Sequence, residues 1–161
     1  MRIERIWNMP NKWTFTIKPI KELLEEEVKQ GLWCDPFCGN NSPAQVRNDI
    51  NPDIVNGNSH YDALEFLNTQ ERYIFDGVLY DPPYSITQAR MYGKKEFASM
   101  RYWKRCKDRI AIILKPGGKV ICFGWNSMGL GKNRGFKMTR ILLVPHGGSK
   151  NDTIVTVETK A

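Results

Sequence analysis

The chain has 161 residues, a formal net charge of +7, 41% hydrophobic residues and 25% charged residues. That length supports one domain with its own core and leaves little room for a second. The absence of a bilayer-length apolar run and of a charged-then-apolar leader argues against membrane and secreted classes and predicts a soluble, cytoplasmic protein, while the excess of cations favours a polyanionic partner.

In chain order, residues 18–30 read as a helix, with Pro19 near the start, Leu23, Leu24 and Val28 at helical spacing, and Gly31 directly after. Leu32-Trp33-Cys34 reads as a short buried strand ending at Asp35-Pro36, with a loop through Gly39-Asn40-Asn41-Ser42. Residues 43–46 are expected to form one short helical turn, and Arg47-Asn48-Asp49 the next strand. After the loop signals Asn51-Pro52-Asp53 and Asn56-Gly57-Asn58-Ser59, residues 63–69 follow as a short helix behind Asp62. Residues 75–80 form an apolar strand that ends on Asp81-Pro82-Pro83. Helical periodicity covers 97–114 and stops before Lys115-Pro116-Gly117-Gly118, and 119–124 is the next strand. Residues 141–144 and 153–157 read as the arms of a closing hairpin. Strands alternating with helices imply a mainly parallel α/β sheet covered on both faces, with its ligand crevice at the carboxyl ends of the strands. Asp35 and Asp81 then face one crevice.

Cys34, Cys38, Cys106 and Cys122 lack the paired spacing of a zinc or redox site, since Cys34 and Cys38 are one residue further apart than in CxxC, and they read as reduced core thiols with no metal expected. Arg90, Lys94, Lys95, Arg101, Lys104, Arg105, Lys107 and Arg109 interleave with Met91, Tyr92, Phe97, Tyr102 and Trp103. That mixture suits both the solvated face of an amphipathic helix and a surface for phosphate contact and base stacking.

Three acidic positions and one tetrapeptide carry candidate chemistry. Asp35-Pro36-Phe37-Cys38-Gly39-Asn40 combines an acidic strand end with a glycine that lets backbone approach a ligand, or is simply a tight connection. Asp49, beside Ile50, is placed to accept ribose hydroxyls. Asp62, before Ala63, is placed to receive the amino group of an adenine ring and to cap the helix that follows. Asp81-Pro82-Pro83-Tyr84 is the most specific feature. The Asp81 carboxylate and the Pro82 carbonyl can each accept one N–H of a planar amino group, drawing it toward a pyramidal form whose lone pair attacks a methyl group, while Tyr84 offers a ring for stacking. The competing interpretation is a rigid turn after a core strand.

With these motifs in this order, the chain resembles the S-adenosylmethionine-dependent N6-adenine DNA methyltransferases, particularly their small phage-type members. Phe15-Thr16-Ile17-Lys18-Pro19 resembles the N-terminal motif that closes over the cofactor's methionine end. Residues 35–40 resemble the cofactor loop, Asp49 the ribose ligand and Asp62 the adenine-ring ligand, and Asp81 to Tyr84 match the catalytic tetrapeptide in full. Leu114-Lys115-Pro116-Gly117-Gly118 is similar to the turn before the fifth strand of the wider class. The resemblance implies a Rossmann-like class I methyltransferase fold, a seven-stranded sheet of order 3-2-1-4-5-7-6 with an antiparallel C-terminal hairpin, and S-adenosyl-L-methionine as cofactor. It also implies a bacterial or phage-infected cell as the setting, with protection from restriction among the uses of the modification.

The chain departs from the family in two ways. Asn40 and Asn41 stand where a small residue or glycine is usual, which reshapes the loop around the methionine carboxylate. Residues 1–161 are read as a single catalytic domain with no separate target-recognition domain, leaving DNA reading to 85–109, including Ser85, Arg90, Lys94, Lys95 and Arg101, and to 126–137, including Lys132 and Arg134. The glycine-rich loop 128–134 is open between phosphate contact and a plain surface loop, as His146 is between DNA contact and an incidental position. The expected partner is DNA, duplex or single-stranded, or RNA, with no membrane and with a second copy or a recognition partner as an assembly option. The rival function is a catalytically silent nucleic-acid-binding or heterodimer subunit that keeps the fold. RNA adenine, N4-cytosine and glutamine amides are the competing substrates, and Asp81 favours adenine over the last two.

Overall fold

A computed structural model of the chain describes residues 1–91 and 99–161. It contains seven strands, β1 (Arg2–Arg5), β2 (Trp33–Asp35), β3 (Val46–Arg47), β4 (Phe75–Tyr80), β5 (Leu114–Gly124), β6 (Phe136–Val144) and β7 (Thr153–Lys160). The helices are α1 (Lys18–Glu27), α2 (Ala63–Thr69), α3 (Ile86–Met91) and α4 (Met100–Ile113). One sheet has the order β1-β6-β7-β5-β4-β2-β3, in which only β7 runs antiparallel to its neighbours. The mainly parallel sheet and its antiparallel C-terminal hairpin are therefore as expected.

The strand order differs at both edges. Strands β2 to β7 fill the central and hairpin positions, but among the described residues no strand lies outside β3, where an isolated parallel bridge joins Asn48 to Ser59. The turn-forming run Asn51-Pro52-Asp53 and Asn56-Gly57-Asn58 cannot sustain a ladder there. The seventh strand is instead β1, which adds parallel to β6 at the far edge. The helical turn expected at 43–46 is also absent. Its residues are committed elsewhere: Ser42 Oγ donates to Asp35, Gln45 Oε1 accepts from the Trp33 amide, and the Ala44 carbonyl accepts from Arg47.

Side-chain alternation along the strands divides the core. Cys34, Val78, Tyr80, Val120 and Cys122 meet α2 and α4 on one face. Trp33, Leu79, Ile121 and Phe123 meet Phe15 and the Ile20, Leu23 and Leu24 stripe of α1 on the other. All four cysteines are buried and free, and burial pushes the Cys38, Cys106 and Cys122 thiols up to about 12. Helix α4 starts at its Ser99 cap, whose Oγ accepts from Tyr102 N, and buries Tyr102, Cys106, Ile110 and Ile113 while Arg101, Lys104 and Arg105 face solvent. Arg109 leaves that basic set, donating to the Leu67 and Gln70 carbonyls at the C-terminus of α2.

One buried side chain joins the loops at the β2 and β3 ends. Asn48 is fully buried: Nδ2 donates to the carbonyls of Pro36 and Tyr61, and Oδ1 accepts from Ser59 Oγ and Tyr61 N. Its amide donates to the Asp35 carbonyl, and its own carbonyl accepts from Cys38 N. Truncation to Ala strands several buried groups at once, each costing roughly 1–3 kcal/mol. Asn48→Ala is thus expected to lower the unfolding free energy by about 3 kcal/mol or more in urea titration, whereas Asn56→Ala in the neighbouring turn changes it far less.

Candidate active site

From β2 the chain turns outward to β3, and from β4 it turns the other way to β5, so the strand order reverses between β2 and β4. A crevice opens at such a point beyond the carboxyl ends of the strands. Here it is a cleft of about 680 Å³, walled by 36–41 after β2, 49–51 after β3, 81–84 after β4, Trp125 after β5, the segment 10–15, and His146, 149–151 and Thr153 of the closing hairpin.

The loop after β2 is built on two carboxylates. Asp35 is fully buried, with Oδ1 accepting from Phe37 N at 3.0 Å and Oδ2 from Ser42 Oγ at 2.6 Å. Burial pushes its carboxyl up to about 7, against the Ser42 and Phe37 hydrogen bonds that favour the anion. Asp49 accepts from Gly39 N at 3.0 Å and Asn51 N at 3.0 Å, which ties both turns together at the cleft wall. Gly39, at φ 53, takes the left-handed conformation that this turn requires.

At the end of β4, Pro82 and Pro83 are buried and Asp81 is half-buried at the wall. The Tyr84 hydroxyl donates to Asp81 Oδ1, Thr14 adds a second hydroxyl, and Gln88 Oε1 accepts from Tyr84 N. Burial raises the Asp81 carboxyl to about 6 against these two hydroxyls. The Tyr84 ring meets Trp125 edge-on, at 5.7 Å and 65°.

No family model and no curated protein matches the sequence. Solved structures do match. TrmN from Thermus thermophilus superposes with a TM-score of 0.62 at 16% identity over 90% of this chain and 49% of that one. A Burkholderia thailandensis 1,6-didemethyltoxoflavin-N1-methyltransferase with bound 1,6-didemethyltoxoflavin and S-adenosylhomocysteine gives 0.60 at 13% over 88% and 76%. The N-methyltransferase NodS from Bradyrhizobium japonicum gives 0.55 at 11% over 89% and 94%. The chain has the class I methyltransferase fold. It spans about half the length of TrmN and most of the other two.

Within this methyltransferase fold the tetrapeptide Asp81, Pro82, Pro83 and Tyr84 and the predicted Phe15, Pro36, Phe37, Cys38, Gly39, Asn40, Asp49, Ile50 and Ala63 all line the cleft. Four other predicted cofactor residues lie off its wall. Asp35 is turned inward to hold the loop. Asp62 Oδ1 caps α2, accepting from Leu64 N, and also accepts from the Tyr102 hydroxyl, so the capping role is the one observed. Thr16 is exposed and donates to the Trp13 carbonyl, and Lys18 is exposed at the start of α1.

Among the described residues, none of the predicted nucleic-acid contacts lines the cleft. Ser85 Oγ accepts from Gln88 N inside α3, Arg90, Arg101 and Lys132 are exposed, and Lys94 and Lys95 lie outside the described residues. Arg134 is held by Asp108 and the Leu130 carbonyl. The glycine-rich loop has an inward anchor: buried Glu158 accepts from Leu130 N and Gly131 N, and a Cβ on Gly129 would lie 2.3 Å from Glu158 Oε2. His146 is buried, with Nδ1 at 2.8 Å from the Asn8 carbonyl and Nε2 at 2.7 Å from Thr153 Oγ1. It therefore clamps the N-terminal segment to β7 and does not reach outward. Sequence reasoning missed the wall at 10–14 and at 149–151, which has no periodicity or motif; Trp13, beside the recognised Phe15, was the nearest signal.

The raised Asp35 carboxyl holds its proton more tightly folded than unfolded, so its stabilising contribution is full below about pH 4 and is lost as pH rises to about 7. Asp81 acts in the same direction up to about 6. The denaturation midpoint is expected to fall as pH rises through that window, and Asp35→Asn, whose Oδ1 still accepts from Phe37 N while its Nδ2 donates to Ser42 Oγ, to flatten most of the slope. An unchanged slope in Asp35→Asn would show that Asp35 is already ionised throughout.

Proposed function

We propose that the protein transfers a methyl group from S-adenosyl-L-methionine to the N6 amino group of adenine in DNA. The observation that supports this most is the intact Asp81-Pro82-Pro83-Tyr84 at the end of β4, in the same cleft as the Asp49-bearing turn.

The residues present fit the cofactor. The cleft is in the size range of nucleotide-sized ligands, and its walls combine apolar Pro36, Phe37, Ile50 and Ile54 with the Asp49 carboxylate. A carboxylate has about four acceptor directions, so Asp49 keeps capacity for ribose hydroxyls beside its two backbone bonds. Phe37, Ile50 and Ile54 offer apolar surface for an adenine ring, and 39–41 with 12–15 would enclose the methionine end. The bound cofactor supplies an electrophilic sulfonium methyl.

The protein's own part is to hold and polarise the amino group. Asp81 Oδ1 and the Pro82 carbonyl each accept one N–H, which localises the nitrogen lone pair for in-line attack. The buried prolines keep both acceptors in place before substrate arrives. The amino nitrogen becomes acidic as the new bond forms, so Asp81 need only hold the proton before it passes to water. The net charge of +7 favours a polyanionic substrate.

Purified protein with tritiated S-adenosylmethionine and unmethylated DNA is expected to yield N6-methyladenine on nucleoside analysis, and Asp81→Ala to reduce transfer at least a hundredfold. Label in RNA alone would reassign the substrate, and cofactor binding with no transfer to any nucleic acid would favour the silent subunit. Because Asp81 must be ionised to offer an oxygen lone pair to the amino N–H and to take up its proton, kcat/KM is expected to fall as pH drops below about 6.

A further inference from the structure

Trp125 is one of the described aromatic residues that the core does not use. It follows β5, is 40% exposed, and contributes to neither of the two hydrophobic clusters on the sheet faces. Aromatic side chains in a cleft wall are the usual surface against which a flat ligand packs. Trp125 borders both the main cleft and a smaller pocket of about 140 Å³, and these two cavities also share Pro82 and Tyr84. The indole thus lies against Tyr84 of the tetrapeptide and lines both spaces.

The contacts of Tyr84 define what this position could receive. Its hydroxyl donates to Asp81 and its ring edge rests on Trp125. These are the two kinds of contact an aromatic amine makes, a donor on the Asp81 carboxylate and a ring against the indole. Trp13, the other tryptophan at the cleft, lies over the loop after β2, within 3.9 Å of where a Gly39 Cβ would be, and so belongs to the opposite end.

Building on the function proposed above, we infer that Trp125 is a substrate-contacting residue: the base whose amino group Asp81 and Pro82 hold enters between Tyr84 and Trp125 and stacks its second face on the indole. The base N–H then takes over the Asp81 oxygen to which the Tyr84 hydroxyl donates, and the base ring replaces the edge contact between the two side chains. Stacking is tolerant of base identity, so Trp125 contributes affinity for a flat ring and leaves the choice of amino group to Asp81.

The test combines tryptophan fluorescence with steady-state transfer, using single-stranded oligo(dA) and an abasic oligomer of equal length. Oligo(dA) is expected to quench the wild type while the abasic strand does not, and Trp125→Phe to lose that difference. Loss of one stacked base corresponds to roughly a 5- to 150-fold change. Trp125→Ala is accordingly expected to lose kcat/KM for oligo(dA) in that range, with S-adenosylmethionine affinity and circular dichroism unchanged, and Trp125→Phe to retain most of it. Wild-type kcat/KM in Trp125→Ala, persistence of the differential quench in Trp125→Phe, or weakened cofactor binding in Trp125→Ala would each overturn the inference while leaving the methyl-transfer reading intact. A wild-type protein that binds cofactor and methylates no adenine would overturn that reading and this inference with it.

Discussion

Everything at the open end of the sheet hangs from the buried Asn48 side chain. Its amide satisfies all its hydrogen-bonding capacity with Pro36, Ser59 and Tyr61, and its backbone pairs with Asp35 and Cys38. These partners belong to three separate connections: the loop after β2, the turns after β3 and the approach to α2. A methyltransferase-type sheet with an outer strand would hold those connections with a ladder. Here the turn-rich segment after β3 forms no strand, and one side chain replaces the ladder. Because such an interaction is costly to leave half-made, the loop that bears Phe37, Cys38 and Gly39 is set by the same contacts that stabilise the fold.

The aspartates at the ends of β2 and β4 divide the remaining work. Asp35 is consumed by the loop it begins, and its raised pKa is a cost of burying a carboxyl where Ser42 and Phe37 can hold it. Asp81 stands half-exposed at the cleft, held by hydroxyls, which a substrate can displace more readily than backbone amides. Placement at neighbouring strand ends, across the reversal of strand order, puts the Asp49-bearing turn and the Asp81-Pro82-Pro83-Tyr84 tetrapeptide in one cavity without any contact between the two loops being encoded locally.

Features whose cause is local were legible in the sequence. Ala63–Thr69 and Phe75–Tyr80 have the predicted spans because an Asp62 cap opens one and Asp81-Pro82 closes the other. The tetrapeptide and the Asp49 turn are legible for the same reason: Pro82, Pro83 and Pro52 restrict the backbone within a few residues. What was not legible depends on partners far away in the chain. Nothing near Asn48 announces that Tyr61 and Pro36 will close on it, and nothing near Arg2–Arg5 announces that it will pair with β6. The 10–14 and 149–151 walls reach the cleft because His146 clamps Asn8 to Thr153, a contact across most of the chain. Of the described cations in the basic stretch, Arg90 is exposed on α3, Arg101, Lys104 and Arg105 are exposed on α4, and Arg109 is tied to α2, while Met91 and Gln88 line the cleft together with the tetrapeptide and Trp125.

The account stands on the claim that the cleft between the β2 and β4 ends is a cofactor site. Isothermal titration of S-adenosylmethionine into the wild-type protein and into Asp49→Ala tests it most directly. Saturable one-to-one binding, weakened at least tenfold in Asp49→Ala with the fold intact by circular dichroism, is the predicted result. No saturable binding by the folded wild type, or equal affinity in Asp49→Ala, would contradict it.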